Sequence, residues 1–211
     1  MRSTNSNFIL ITSPERLEGE AETLQACFEA GLPWLHIRKP TWRRSSVREL
    51  IQQIPSKYHS RMVLHHHHKL CNEFSLGGLH VPAWMRKFHG LGQWKDYTKW
   101  KSRQDLTIST SVHELDELIV LPHLIDYAFC SPVYESISKV GYRPKVDWRF
   151  EKPAALLRIA LGGIEASKFE DVRKRGFDGV AIMGAIWEED DPVSSLQDQL
   201  TAWNQQQGHT S

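Results

Sequence analysis

The sequence predicts an α/β fold, a single (β/α)8 TIM barrel, and three observations carry that expectation. Short apolar, β-branched runs alternate with amphipathic stretches along almost the whole chain. Eight such runs can be counted, and from the second onward each ends in polar residues or glycine. The spacing leaves no room for hairpins over most of the chain, so the units read as βαβ crossovers of a parallel sheet. An open doubly wound sheet alternates in the same way; the strand count and the glycines near the C-terminus favour the closed barrel.

In chain order the predicted strands are Phe8–Ile11, Trp34–Ile37, Met62–Leu64, Gly78–Val81, Thr107–Ser111, Ile125–Phe129, Leu156–Leu161 and Gly179–Met183. Most are nearly continuous in apolar residues, as strands covered on both faces must be. Between them, Glu18–Ala30, Ser45–Gln53, Phe169–Arg175 and Ser194–Trp203 carry the helical period. The stretch Ala83–Gln104, rich in Trp and Lys with Gly90 and Gly92, reads as one irregular helix. No internal repeat or linker interrupts the pattern, so residues 1–211 read as one domain.

Composition narrows the function. A chain of 211 residues, 40% hydrophobic and 24% charged, suits one packed core and lies near the lower end of barrel lengths. With Lys+Arg at 26 and Asp+Glu at 25, the net charge of +1 gives no general pull toward nucleic acid or an anionic membrane. Affinity for phosphate must then come from a local site. The apolar stretch at Phe8–Ile11 is too short for a signal peptide, and no run approaches a membrane span. Cys27, Cys71 and Cys130 are odd in number and scattered, which fits a reducing cytoplasm better than a disulfide framework.

A barrel keeps its chemistry at the C-terminal ends of its strands. Those ends hold His36, Arg38 and Lys39, then His65 to His68, then His80, then Ser109, Ser111 and His113. Cys130–Ser131–Pro132, Gly162–Gly163 and Gly184 follow. The motifs ALGGI at Ala160–Ile164 and AIMGAI at Ala181–Ile186 place glycines where backbone N–H groups can approach a phosphate. Either motif alone would read equally well as a plain strand end. The segment Ser131–Tyr142 offers Ser136, Ser138 and Lys139, two hydroxyls and a cation suited to closing over an anion, or an ordinary polar loop. Of the four consecutive histidines at 65–68, alternation lets two at most share a face. One or two are expected to line the pocket and the rest to sit in solvent, with no dedicated metal site.

The order of these motifs resembles the thiamine phosphate synthase and thiazole tautomerase family. The resemblance is carried by LHIRKP at Leu35–Pro40, GGLHV at Gly77–Val81, STSVHELDEL at Ser109–Leu118, IDYAFCSPVYESISK at Ile125–Lys139, ALGGI, and GFDGVAIMGAIW at Gly176–Trp187. It implies a TIM barrel, usually a homodimer, acting on small phosphorylated substrates. In the synthase a pyrimidine methyl diphosphate ionises, pyrophosphate leaves, and a thiazole phosphate nitrogen captures the cation. The resemblance implies Arg38 and Lys139 on the pyrophosphate and Ser111 near the pyrimidine. Ser136 and Ser138 match residues around the phosphates, and Gly162, Gly163, Gly184 and Ala185 match the backbone phosphate cradle. His36, His65, His66 and His80 fall at substrate-binding positions. Pro40 replaces a family lysine, with Lys39 beside it as the substitute.

The resemblance also implies Mg2+, yet both family ligand aspartates are absent: His65–His66 stand at an Asn-Asp position and Met85 at the other. Arg86, Lys87 or an imidazolium at His65 or His66 would then supply positive charge directly, with activity gained toward acid. Thiazole tautomerases need no magnesium, but their active-site histidine falls at Pro132. The synthase is therefore the expected activity, with the tautomerase and a non-catalytic thiazole or thiamine phosphate binder as alternatives.

Overall fold

The computed structural model describes residues 7–88, 91–104, 106–135, 144–151 and 154–205. Eight parallel strands close on themselves in sequence order. They are β1 (Phe8–Ile11), β2 (Trp34–Ile37), β3 (Met62–Leu64), β4 (Gly78–Val81), β5 (Thr107–Val112), β6 (Tyr127–Cys130), β7 (Leu157–Leu161) and β8 (Gly179–Ile182). Closure is made by β1 against β8, with Leu10 opposite Ile182. The predicted strands agree within one or two residues; β6 starts later than expected, at Tyr127, and β5 runs one residue further.

The helices are α1 (Glu20–Glu29), α2 (Arg44–Gln53), α3 (Lys69–Phe74), α4 (Ala83–Phe88), α5 (Leu91–Gln104), α6 (Leu115–Ile119), α7 (Phe169–Lys174), α8 (Gly184–Trp187) and α9 (Pro192–Gln205). The stretch read as one irregular helix is two, α4 and α5, with Gly90, a poor helix former, in the sequence between them.

Alternation along the strands sorts residues into two cores. Phe8 and Leu10 of β1 join the outer layer between strands and helices, which receives Leu24 and Phe28 of α1, Val47 and Ile51 of α2, and Leu196 and Trp203 of α9. Ile9 and Ile11 point inward with Tyr127, Phe129, Ile159 and Ala181. The inward set turns polar on one side only. His36 of β2, His80 of β4 and Ser109 of β5 are all buried there. Registers place His36 opposite Ile11 and Val63, and His80 opposite Ser109, so these side chains come from adjoining strands. Among the described residues no helix is long and apolar enough to cross a membrane.

Candidate active site

Two adjoining regions occupy the C-terminal end of the barrel. The first is an open cleft of about 640 Å³, whose wall includes Ser13, Arg38, His113, Ser131, Gly162, Gly184 and Trp187. Arg38 follows β2 and is held through its backbone: its N–H donates to Thr12 Oγ1 at 2.9 Å, and Thr12 Oγ1 donates back to its carbonyl at 3.3 Å. No described residue pairs with its guanidinium, and burial pulls its pKa below the usual arginine range. A half-buried guanidinium on a cleft wall offers charge and N–H donors of the kind that carboxylates and phosphates accept. His113 Nδ1–H donates to the Ser131 carbonyl at 2.8 Å, and Trp187 Nε1–H donates to the Ile11 carbonyl at 2.7 Å.

The β7 glycines have a second reason for being there. Gly162 and Gly163 adopt φ of 97° and 63°, and a Cβ on Gly163 would sit 2.2 Å from the Glu135 carbonyl oxygen. The start of the β6–β7 connection lies directly on them, with Val133 N–H donating to the Leu161 carbonyl at 2.9 Å and Tyr134 N–H to the Gly162 carbonyl at 3.0 Å. These glycines therefore let the two connections approach, whatever they bind. Gly162 and Gly184 face the cleft. Ala185 lies on α8, and its carbonyl accepts the Ser195 hydroxyl at 2.9 Å. Ser136, Ser138 and Lys139 lie outside the described residues; Glu135, just before them, packs over Gly163.

The second region is closed. His36 Nδ1 lies 3.0 Å from His65 Nε2, and His36 Nε2 lies 2.7 Å from the Tyr127 hydroxyl. His80 contacts Ser109 Oγ at 2.9 Å and Ser111 Oγ at 3.0 Å. The His65 and His80 rings stack with centroids 4.1 Å apart, and Phe129 stacks on His80 at 5.0 Å. His36, His65 and His80 are 0%, 5% and 1% exposed. Burial holds all three neutral, pushing His36 down to about 3 and the other two well below the ordinary value.

Several expectations change with this geometry. Lys39 does not reach the cleft: its ammonium is buried against Glu20 at 2.7 Å and the Glu15 carbonyl at 2.6 Å, under the Trp42 ring. Alternation past β2 turns Arg38 to the cleft and Lys39 outward, against Glu20 of α1. Arg86 and Lys87 do not offer free charge either, since both pair with Glu117 at 2.7 and 2.9 Å. Burial and its neighbouring histidines disfavour the imidazolium form of His65, and burial with its neighbours His67 and Arg38 lowers His66 as well. The histidines at 67 and 68 are not simply solvated: His67 contacts the Trp42 carbonyl at 2.9 Å, and buried His68 contacts the His80 carbonyl at 3.0 Å. Ser13 and Trp187 were missed; Ser13 sits just past β1 and obeys the same strand-end rule that found the others. Tyr127 was missed too, although its spacing of two from Phe129 places it inward.

The closed barrel and the cleft at the C-terminal ends of its strands define a (β/α)8 protein with a half-buried arginine on the cleft wall. A family profile described as thiamine monophosphate synthase matches residues 8–186, and the chain belongs to that family. Among curated relatives, a thiamine-phosphate synthase of Lysinibacillus sphaericus is 26% identical over 146 residues, 66% of this chain and 65% of that one. One of Pasteurella multocida is 31% identical over 104 residues, 44% of this chain. The chain thus spans under two thirds of the length of these relatives, 65% and 45%. A thiamine phosphate pyrophosphorylase structure from Bacteroides thetaiotaomicron superposes with a TM-score of 0.70 at 23% identity, covering 97% of this chain and 99% of the other, and shares the fold.

Proposed function

We propose that this chain is a thiamine phosphate synthase-type transferase, joining a hydroxymethylpyrimidine diphosphate to a thiazole phosphate with release of pyrophosphate. The observation that carries the proposal is Arg38, an unpaired guanidinium among the described residues, set in the glycine-bordered cleft of a member of this family. In such a reaction the C–O bond to the diphosphate breaks, its electron pair leaves with pyrophosphate, and the thiazole nitrogen closes the new C–N bond. Charge grows on the leaving group, so Arg38, with Lys139 brought from the β6–β7 connection, would act chiefly in the transition state. Gly162, Gly163 and Gly184 would offer N–H groups to the thiazole phosphate, with Ser136 and Ser138 beside them. His36, His65, His66, His80 and Ser111 would adjoin the pyrimidine.

Magnesium does not fit the residues at the family's ligand positions. His66 offers imidazole and Met85 a thioether that accepts the Tyr97 hydroxyl at 3.7 Å, whereas magnesium selects carboxylate oxygens. No step here is routed through it. A cytoplasmic homodimer accompanies this reading. Its support is the exposed apolar surface of Leu115, Ile119 and Val120, with Ile119 84% exposed.

The test is an assay of purified protein with both substrates, beside complementation of a thiamine-requiring strain. Formation of thiamine phosphate and pyrophosphate in equal amounts is expected. Isomerisation of a thiazole phosphate without coupling would transfer the case to the tautomerase, and tight thiazole phosphate binding without turnover to the binder.

A further inference from the structure

We propose that His36, His65 and His80 form a binding site for one zinc-class divalent ion inside the barrel mouth. The inference goes beyond the proposed activity and does not depend on it. One ring nitrogen from each histidine, all lying within 4.8 Å of one another, comes from three neighbouring β/α units, so the backbone presents them from a rigid wall. Two ligands at about 2.05 Å on a tetrahedral ion are about 3.3 Å apart. His36 Nδ1 and His65 Nε2 are already 3.0 Å apart in a hydrogen bond, which an ion bound to both would replace. The widest separation, at most 4.8 Å, must close toward that value when an ion binds.

At His36 and His80 the surroundings match what metal-bound imidazole requires. A ligating histidine donates its other N–H to an oxygen, which fixes ring and tautomer. His36, ligating through Nδ1, would donate Nε2–H to the Tyr127 hydroxyl, now at 2.7 Å. His80 has a serine hydroxyl at each nitrogen, Ser109 at 2.9 Å and Ser111 at 3.0 Å, so whichever nitrogen faces the ion, the other keeps its partner. Phe129 stacks on both His80 and His65, closing the apolar side. Imidazole without carboxylate selects zinc and its neighbours over magnesium or calcium. Zinc, lacking any geometric preference of its own, accepts three histidines plus one open position. A buried polar cluster of three histidines and no ion is the competing account.

The distinction is made on chelator-treated, desalted full-length protein titrated with zinc, and separately with cobalt, followed by metal analysis and visible absorption. One zinc per chain is expected, with the intense visible bands of tetrahedral cobalt and a rise in melting temperature. His36→Gln, His65→Asn and His80→Gln should each abolish the cobalt bands, and His123→Gln, on the surface, should change nothing. Tyr127→Phe keeps all three ligands and the fold, and should weaken zinc binding by about ten- to hundredfold. No retained zinc in the unaltered protein, weak octahedral-type cobalt bands, or binding that survives the three histidine changes would overturn the proposal.

Discussion

In the open cleft at the barrel mouth, polar groups face open space. Arg38, Ser13, Ser131 and His113 line a cleft, and Gly162 and Gly184 leave its wall bare of side chains. In the closed cluster inside the barrel, side chains face one another: His36 meets His65 and Tyr127, and His80 meets Ser109 and Ser111. The difference comes from side-chain size. Glycine and serine at strand ends leave volume above the barrel, whereas three imidazoles and two aromatic rings fill it and satisfy one another. One side is thereby fit to receive an anion, and the other to exclude charge unless an ion replaces the His36–His65 hydrogen bond.

Acid should break the closed side first, and this is the largest effect expected. In metal-free protein His36 is held near 3 against an ordinary 6.5, and His65 and His80 are also depressed. The groups facing them, Arg38, His66 and His68, are cationic or neutral and push the same way. The unfolded chain gains protons below pH 6.5 and the folded chain does not. Stability is therefore full above 6.5 and falls as pH drops, by up to about 1.4 kcal/mol per pH unit for each histidine. Urea unfolding in chelator between about pH 7.5 and 5 reads this slope. A flat profile would mean that the cluster opens and protonates without cost.

Next in size is the buried pair that removed Lys39 from the cleft. Glu20→Gln leaves an ammonium buried without its counter-charge and should cost about 3–5 kcal/mol in denaturant unfolding. Replacing both partners with Leu and Met should restore most of that. A small effect of Glu20→Gln alone would mean Lys39 swings out to the cleft, which would return it to the candidate anion site. On the open side, Lys139→Ala should slow thiamine phosphate formation on the order of a hundredfold while leaving thiazole phosphate binding nearly intact. Unchanged turnover would remove Lys139 from the reaction.

Strands were legible because most of β1 to β8 are apolar runs buried on both faces, a signal that depends on local composition alone. The cleft was legible in part for the same reason: strand-end position fixed where Arg38, Gly162 and Gly184 would go. Direction was only partly legible. Alternation sets Lys39 opposite Arg38, but nothing local says that it turns under Trp42 to meet Glu20 on α1, because that contact spans 19 positions. Equally, strand period predicts that two of His65 to His68 share a face, but the chain leaves the strand at Leu64 and His67 takes φ of 56°, so alternation no longer applies. The resulting split sends His65 to His36 and His68 to the back of β4.

The smallest effect separates the two roles of the β7 glycines, as packing residues and as part of an anion cradle. Gly163 and Gly19 share almost the same left-handed backbone, φ of 63° and 65°, yet a Cβ on Gly19 would meet nothing within 4 Å. Alanine costs about 1–2 kcal/mol in that conformation at either site. At Gly163 it also collides with the Glu135 carbonyl, so the β6–β7 connection must shift away from the cleft wall. Gly19→Ala should therefore lower stability and leave phosphate affinity alone. Gly163→Ala should lower stability somewhat further and also weaken inorganic phosphate binding, measured by calorimetry. Equal phosphate affinity in the two variants would show that Gly163 serves only to let two loops pass, and that the anion is held by Arg38 and the other cleft groups without it.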